Sequence, residues 1–280
     1  MKQPIVAIMY DFDKTLITKD MQEYTFIPDL GIESSEFWSI VSKYTKKYKM
    51  DSVLAYMYCM LMKTKENGKE LKSEYLKDIG KYLELYPGVL DWFDRINEYA
   101  HSLGLEVEHY IISSGLKEII CGSQIANKFK EIYASEFLYD DNDNAIWPKL
   151  AVNYTNKTQF IYRINKGVLD ISDDNKLNKK MLYDDRRIMH SNMIYIGDGL
   201  TDVPCMQLTK DHGGVSIAVY TDESKSVAKS LLQDERISYI TKADYSKNSE
   251  LETVMKMVLN KKALNMKLKG IQSKLEEMVK

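Results

Sequence analysis

Strongly apolar, β-branched segments recur along the chain and predict strands. They alternate with stretches of helical periodicity, and such alternation is typical of a parallel sheet covered by helices on both faces. The predicted strands are residues 5–10 (IVAIMY), 107–112 (VEHYII), 192–197 (NMIYIG) and 215–220 (VSIAVY). Ligands of such sheets bind beyond the carboxyl ends of the strands, so functional side chains are expected just after these segments.

Residues 17–86 interrupt the alternation, because they contain few strand-like segments and many Tyr, Met, Lys and Glu residues at helical spacing. Residues 51–68 predict an amphipathic helix that ends at a glycine, and residues 69–88 predict a second helix closed by Pro-Gly. We therefore predict an all-helical domain, residues 17–86, inserted into an α/β core made of residues 1–16 and 87–250.

Beyond this insert, two short strand-like pieces around an Asp/Asn-rich turn predict a hairpin at residues 134–148. The polar residues 167–190 predict an irregular excursion from the core.

The C-terminal segment, residues 251–280, predicts a long helix with one apolar stripe. Its apolar residues follow spacings of four and three: Leu264, Leu268, Ile271, Leu275 and Met278. We expect the stripe to pack on the parent domain rather than to form a dimer seam, because so short a pattern is not diagnostic of a coiled coil. The chain is expected to be a monomer or a homodimer.

Composition narrows the functional classes. With 280 residues and 44% hydrophobic content, the chain can bury a substantial core. The net charge is −2 and the basic residues are scattered among acids, which argues against a nucleic acid partner. The apolar run near the start is too short to cross a membrane and lacks a small-residue cleavage site, so we expect a cytoplasmic protein with no membrane partner. The three cysteines are widely spaced, which favours reduced thiols.

Four carboxylates follow two of the predicted strands. Asp11 and Asp13 come after the first strand, while Asp198 and Asp202 come after the strand at 192–197, with a glycine on each side of Asp198 to allow a sharp turn. If a helix begins after Gly199, Asp198 and Asp202 can face the same site. Carboxylates brought this close repel one another unless a cation lies between them, and an all-oxygen ligand set suits Mg²⁺.

The motifs occur in the order of a known family. DFDKT (11–15) resembles the first motif of haloacid dehalogenase-like phosphatases, DxDx[TV], and GDGLTD (197–202) resembles their fourth, GDxxxD. Between them, Ser113 matches the second motif and Lys157 the third-motif lysine that opens a helix. The resemblance covers about residues 1–16 and 87–245, and it implies a Rossmann-like core. The insert resembles the helical cap of the phosphoserine-phosphatase-like branch, whose hinge lies just after the first motif.

The resemblance also implies catalytic roles. Asp11 attacks phosphorus and forms an aspartyl phosphate, while Asp13 protonates the leaving oxygen and later activates water. Thr15 orients Asp13 and steadies the turn. Ser113 and Lys157 bind phosphoryl oxygens.

Two assignments remain open within this scheme. Ser114 competes with Ser113 for the phosphate-binding role, because the two are adjacent. By the same resemblance, Mg²⁺ is held by Asp11, the main-chain carbonyl of Asp13 and Asp198, with Asp202 in support through water or the lysine.

The predicted function is therefore a Mg²⁺-dependent phosphatase for a small phosphorylated substrate. A phosphotransferase or mutase on the same scaffold, a non-catalytic Mg²⁺- or phosphate-binding regulator, and an interaction protein built around the C-terminal helix are the alternatives. Asp20 and Glu23 lie just past the expected hinge, where an acid could meet a substrate amino group or could simply start a helix. The sequence leaves phosphoserine, other amino-alcohol phosphates, nucleotides and sugar phosphates open as substrates.

Overall fold

A seven-stranded sheet lies at the centre of the computed structural model, which describes residues 3–183 and 185–279. Residues 1, 2 and 280, at the ends of the predicted core and C-terminal helix, lie outside the described residues, as does residue 184 in the predicted excursion. The strands are β1 (Ile5–Tyr10), β2 (Glu106–Leu116), β3 (Glu131–Tyr139), β4 (Ala145–Leu150), β5 (Met193–Gly197), β6 (Val215–Tyr220) and β7 (Tyr239–Lys242). Their order is β4-β3-β2-β1-β5-β6-β7, and every neighbouring pair is parallel except β3 and β4. The predicted α/β fold with a Rossmann-like sheet is confirmed.

Helices cover both faces of the sheet. They are α1 (Phe26–Asp29), α2 (Ser34–Tyr48), α3 (Ser52–Glu66), α4 (Ser73–Ile79), α5 (Val89–Ser102), α6 (Lys117–Gly122), α7 (Lys157–Lys166), α8 (Asp174–Asn178), α9 (Val203–Asp211), α10 (Lys225–Gln233) and α11 (Glu250–Val279). Alternate residues of β1 enter two different cores. Val6 and Ile8 belong to the core beneath α5 and α11, while Ala7 and Met9 belong to the core beneath α7 and α9. Successive side chains of a strand point to opposite faces of the sheet, and both faces of β1 are buried. The strand is therefore apolar at every position.

Helices α1 to α4 occupy the segment between β1 and β2, as the helical pattern predicts. The segment leaves and re-enters the core side by side, because the Thr18 amide donates to the Glu84 carbonyl (3.0 Å) and the Tyr86 amide donates to the Leu16 carbonyl (3.0 Å). The two crossings therefore form one narrow connection to the core.

The second predicted helix of the insert, residues 69–88, is much shorter than expected. Helix α4 ends at Ile79 and a 3-10 turn follows at Gly80–Tyr82. Gly80 packs so closely on α6 that an added Cβ would lie 2.2 Å from the Ile119 carbonyl oxygen. This backbone contact bends the chain away from a helical path and docks α4 on the core.

The predicted hairpin is confirmed as β3 and β4, which pair antiparallel around the turn at residues 140–144. The predicted end of the second strand at residue 112 is wrong, since β2 continues to Leu116 with a pairing irregularity between Ile112 and Leu116. Strand β7 lacks a long apolar run and was not predicted. The polar excursion at 167–190 contains the short helix α8 and a 3-10 turn at His190–Asn192.

The expectation that the C-terminal stripe packs on the parent domain is wrong. The first half of α11 packs on the core through Leu251, Met255 and Leu259, which are fully buried. Beyond Ala263 the helix passes the edge of the core, and the stripe residues are 56–82% exposed. The apolar spacing continues along the helix, whereas the surface that could cover it ends.

Within the described residues, no helix combines the length and apolar character needed to span a membrane.

Candidate active site

The carboxyl ends of β1 and β5 bring the predicted carboxylates together. Asp11 directly follows β1, and its amide donates to the Ile196 carbonyl of β5 (2.9 Å), which fixes the backbone there. Asp198 follows β5, and Asp202 lies at the end of a 3-10 turn, Leu200–Asp202, that leads into α9. Carboxylate oxygens of Asp11, Asp198 and Asp202 all lie within 4.8 Å of one another. The structure therefore assembles three of the four predicted metal-binding aspartates.

Lys157 ties two of these carboxylates together. It is the first residue of α7, as predicted, and only 1% of its surface is exposed. Its Nζ donates to Asp11 Oδ1 (2.9 Å) and to Asp202 Oδ1 (2.8 Å). Burial works to lower the pKa of Lys157, but the two carboxylates outweigh it and the pKa is raised. The Lys157 ammonium group thus places positive charge between two carboxylates of the site.

Asp202 is completely buried, and hydrogen bonds reach only one of its two carboxylate oxygens. Its Oδ1 also accepts a hydrogen bond from the Tyr195 hydroxyl (2.8 Å) of β5, while its Oδ2 has no partner among the described residues. Gly197 leaves room for this carboxylate, because an added Cβ would lie 2.5 Å from Asp202 Oδ2. The glycines are expected to allow a sharp turn; neither Gly197 nor Gly199 has positive φ, and Gly199 is extended.

The electrostatics of the cluster favour a bound cation. Burial, and then the charge of Asp202, raise the pKa of Asp11 to about 6 despite Lys157. Burial, and then Asp202 and Asp11, raise the pKa of Asp198 to about 8. A divalent cation would relieve this repulsion, and the unpartnered Asp202 Oδ2 and an all-oxygen donor set suit a hard cation.

Asp13 occupies a different place from the other aspartates. Its carboxylate lies outside the group of three. Its Oδ1 accepts a hydrogen bond from the Met21 amide (2.8 Å). Burial, followed by the charges of Asp20 and Asp11, raises its pKa well above the usual value. A carboxyl group with a raised pKa is suited to act as a general acid.

The expected role of Thr15 differs from its place in the structure. Its hydroxyl is buried without a hydrogen-bond partner among the described residues, so it does not hold the Asp13 carboxylate. The Tyr245 hydroxyl donates to the Thr15 carbonyl (2.9 Å) and steadies this turn from the core side. Lys14, which lies between Asp13 and Thr15, has a φ of 54°. This left-handed backbone conformation costs free energy for a residue other than glycine.

The two serines lie in the irregular part of β2. Ser113 is fully buried, and its Oγ accepts a hydrogen bond from the Gly115 amide (3.1 Å). Ser114 is half-buried, and its carbonyl accepts a hydrogen bond from the Tyr56 hydroxyl (2.7 Å) of α3. Both serines border the same cleft, so the choice between them stays open.

A cleft of about 280 Å³, here called the acidic cleft, opens above this cluster. Its lining includes the predicted residues Asp11, Asp13, Ser113, Ser114, Lys157 and Asp198. Thr15 and Asp202 are absent from the lining, and they support the site from behind. Such a space accommodates a phosphoryl group and a cation together.

Sequence reasoning missed three residues that shape the site. Tyr195 holds Asp202 from within an apolar strand, where its hydroxyl gives no signal in the sequence. Met21 positions Asp13 through its amide, and its Sδ accepts a hydrogen bond from the Leu116 amide (3.0 Å). Gly115 is needed because an added Cβ would lie 2.1 Å from Met21 Cε and 2.8 Å from Asp13 Oδ2. The glycine directly after two serines was the available clue.

Comparison with known proteins places the chain in a family. The family model of haloacid dehalogenase-like hydrolases matches residues 8–207. An uncharacterized protein of Borreliella burgdorferi is 30% identical, and the match covers 89% of this chain and 95% of that protein. The chain belongs to the haloacid dehalogenase-like hydrolase family.

Solved structures share the fold at low sequence identity. A haloacid dehalogenase family hydrolase from Salmonella enterica serovar Typhi has a TM-score of 0.56 at 19% identity, with coverage of 89% of this chain and 73% of that one. A phosphoserine phosphatase in its apo form has a TM-score of 0.54 at 16% identity, with coverage of 85% and 94%. A phosphoserine phosphatase carrying a phospho-aspartyl intermediate analogue has a TM-score of 0.53 at 15% identity, with coverage of 91% and 99%. The fold is therefore shared with phosphoserine phosphatases.

Proposed function

We propose that this protein is a Mg²⁺-dependent phosphatase that hydrolyses a small phosphate monoester through a phosphorylated Asp11. The observation that carries the proposal is the position of Lys157, whose Nζ joins Asp11 to Asp202 inside a buried cluster that also contains Asp198. A carboxylate and a phosphate ester are both anionic, so attack requires positive charge held between them. The cluster provides one fixed cation and a set of oxygens suited to another.

The chemistry divides between the two aspartates of the first motif. A carboxylate oxygen of Asp11 forms a bond to phosphorus while the ester P–O bond breaks, and Asp13 gives its proton to the leaving alcohol oxygen. Asp13, now ionised, takes a proton from water as the water oxygen attacks the aspartyl phosphate. Inorganic phosphate leaves and Asp11 is regenerated. The raised pKa of Asp13 suits the first of these tasks.

The cation proposed for this site is Mg²⁺. Asp11, Asp198 and the main-chain carbonyl of Asp13 would hold it, with Asp202 close behind. When bound, Mg²⁺ would neutralise phosphoryl charge and the repulsion among these carboxylates.

We also propose that part of the helical insert is a cap over the acidic cleft. The crossing at residues 16–18, just after the first motif, supports one end of a hinge. Helix α4, however, is docked on α6 through Gly80, and its neighbour Leu71 accepts a hydrogen bond from the Ala145 amide (2.8 Å). The moving part is therefore proposed to be residues 17–70, and α4 belongs with the core.

Cross-linking tests the cap. Asp51, at the start of α3, accepts a hydrogen bond from the Asn153 side chain (3.0 Å) across the mouth of the site. A double cysteine variant at these positions should lose turnover when oxidised and recover it on reduction. Full activity with the disulfide formed would rule out cap motion as a requirement.

Metal removal tests the phosphatase proposal. Hydrolysis of p-nitrophenyl phosphate by the full-length protein should require Mg²⁺ and stop when chelator is added, because the unneutralised cluster repels the substrate. Restoring Mg²⁺ should restore the rate. Undiminished hydrolysis in chelator would exclude the metal, and no hydrolysis under any condition would count against the enzyme itself.

A further inference from the structure

A second cavity of about 240 Å³ adjoins the acidic cleft. We call it the aromatic pocket, and the residues that matter to the argument are Asp20, Gln22, Trp38, Tyr56 and Asn153. It shares Asp13, the proposed acid for the leaving alcohol, with the acidic cleft. The aromatic pocket is therefore where the organic part of a phosphate ester would lie.

Two aromatic rings form a corner of this pocket. The rings of Trp38 and Tyr56 have centroids 6.3 Å apart and planes at 73°. The Trp38 indole N–H donates to Glu23 Oε1 (3.0 Å), and the Tyr56 hydroxyl donates to the Ser114 carbonyl (2.7 Å). Because both polar hydrogens are already used, the rings contribute aromatic surface rather than donors to the lining, and the hydrogen bonds fix their positions.

The charge of the pocket is acidic. Asp20 supplies a carboxylate to its lining, Asp13 enters as the proposed proton donor rather than as a charge, and no Lys, Arg or His lies among the described lining residues. The nearest compensating cation, Lys14, lines the acidic cleft instead and pairs with Asp20 at 2.6 Å. A phosphoryl group in the acidic cleft would attract the same ammonium group and leave Asp20 to the ligand.

Gln22 places a side-chain amide group at the wall of the aromatic pocket. Its side chain is only 2% exposed and lines the pocket. Its amide forms no hydrogen bond within the part of the chain that the structure describes. The amide is therefore open to a ligand that enters the pocket.

We propose that the aromatic pocket receives a small cationic alcohol, so that the substrate is the phosphate ester of an amino alcohol that carries no carboxylate. This inference rests on the phosphatase function proposed above. The aromatic surface and the Asp20 carboxylate both attract an organic cation, whereas Asp20 repels a carboxylate group of the substrate. Gln22 adds hydrogen-bonding capacity at the wall of the same space.

A matched set of esters tests the proposal on the full-length protein with Mg²⁺. The cationic esters are 2-aminoethyl phosphate and its trimethylammonium analogue; 2-hydroxyethyl phosphate is the uncharged control, and O-phosphoserine adds a carboxylate to the amine. The better cationic ester should exceed both others in kcat/KM by about tenfold, as expected for a cation over aromatic faces. A preference below about threefold, or a preference for O-phosphoserine, would overturn the proposal.

Substitutions locate the preference in the pocket. Trp38→Leu removes one π face and Asp20→Asn removes the charge, so each should bring the ratio of cationic to uncharged ester close to one. Trp38→Phe keeps a ring and should retain most of the preference. The matched controls are Trp147→Leu, at an exposed tryptophan, and Asp78→Asn, in an exposed 2.6 Å pair with Lys81; neither should change the ratio. An unchanged ratio in Trp38→Leu and Asp20→Asn would contradict the assignment.

Hydrolysis of p-nitrophenyl phosphate distinguishes failure of the aromatic-pocket inference from failure of the proposed phosphatase function. If the wild-type protein hydrolyses this ester with Mg²⁺ but shows no cationic preference, the inference about the aromatic pocket is wrong and the phosphatase function stands. If it hydrolyses none of the esters, the proposed function is itself wrong.

Discussion

The acidic cleft and the aromatic pocket share a wall but are built differently. The acidic cleft rests on buried groups held by strands and by the start of α7, with Lys157 1% exposed between two carboxylates. The aromatic pocket is formed largely by side chains of α2, α3 and nearby loops, including the half-buried Trp38. The acidic cleft, built on the core, would bind the phosphoryl group, and the aromatic pocket, built on a separate segment, would bind the alcohol. This division allows the same chemistry to act on different alcohols when the separate segment changes.

Substitutions in the two regions are expected to have different kinetic effects. Changes in the acidic cleft should lower kcat/KM for every phosphate ester by a similar factor, because all share the phosphoryl group. Changes in the aromatic pocket should alter the ratio between esters. The predictions below run from the largest expected effect to the smallest.

Lys157→Met should have the largest effect. It removes the cation between Asp11 and Asp202 and should lower kcat/KM about 1,000-fold for all esters, as losses of one electrostatic stabiliser can. Without metal, leaving the carboxylates uncompensated should also lower the free energy of unfolding by about 3 kcal/mol. Steady-state kinetics and urea unfolding would measure both effects.

Lys149→Met is the matched control, because this lysine lies in an exposed pair with Glu136 (2.8 Å) on the hairpin. It should change neither quantity appreciably. Activity of Lys157→Met within tenfold of wild type would show that the acidic cleft does not depend on this cation.

Gly115→Ala should have the next largest effect and should affect both regions, because Gly115 lines the aromatic pocket and contacts Asp13. The added Cβ must displace Met21 or Asp13, and such misplacement should lower kcat/KM about 100-fold and also shift the ratio between esters. Gly270→Ala, in an open part of α11, is the control. Wild-type kinetics in Gly115→Ala would mean that the position of Asp13 is not constrained as the structure indicates.

Tyr195→Phe should have the smallest effect. It removes the hydroxyl that donates to Asp202 and should weaken the response to Mg²⁺ about tenfold, as loss of a group that orients a metal ligand does. The ratio between esters should not change. Tyr133→Phe is a suitable control, since that hydroxyl donates instead to the Leu169 carbonyl. The measurement is the Mg²⁺ concentration that gives the half-maximal rate. An unchanged value would show that the Tyr195 hydroxyl does not contribute to Mg²⁺ binding.

The sequence predicts the acidic cleft much better than the aromatic pocket. Asp11 and Asp198 follow local rules, because each stands at a strand end that apolar patterning reveals, and Lys157 is expected from the family resemblance alone. The pocket joins Trp38 and Asn153, which are distant in sequence and come together only through the packing of the insert. Local patterns carry no information on such contacts.

Two errors have the same origin. Helix α4 stops at Ile79 because of a backbone contact between Gly80 and α6, and the α11 stripe is exposed because the core ends before it does. Both depend on a distant partner surface, whereas helical periodicity describes only the helix itself.

The central claim is that Asp11 carries the phosphoryl group, and intact-protein mass spectrometry tests it most directly. With p-nitrophenyl phosphate the leaving phenolate scarcely needs a proton, so Asp13→Asn should still become phosphorylated and then stall for want of a base. After acid quench, Asp13→Asn should carry one added phosphoryl group, located on Asp11, and Asp11→Asn should carry none. A phosphoryl adduct on Asp11→Asn, or on any residue other than Asp11, would contradict the account.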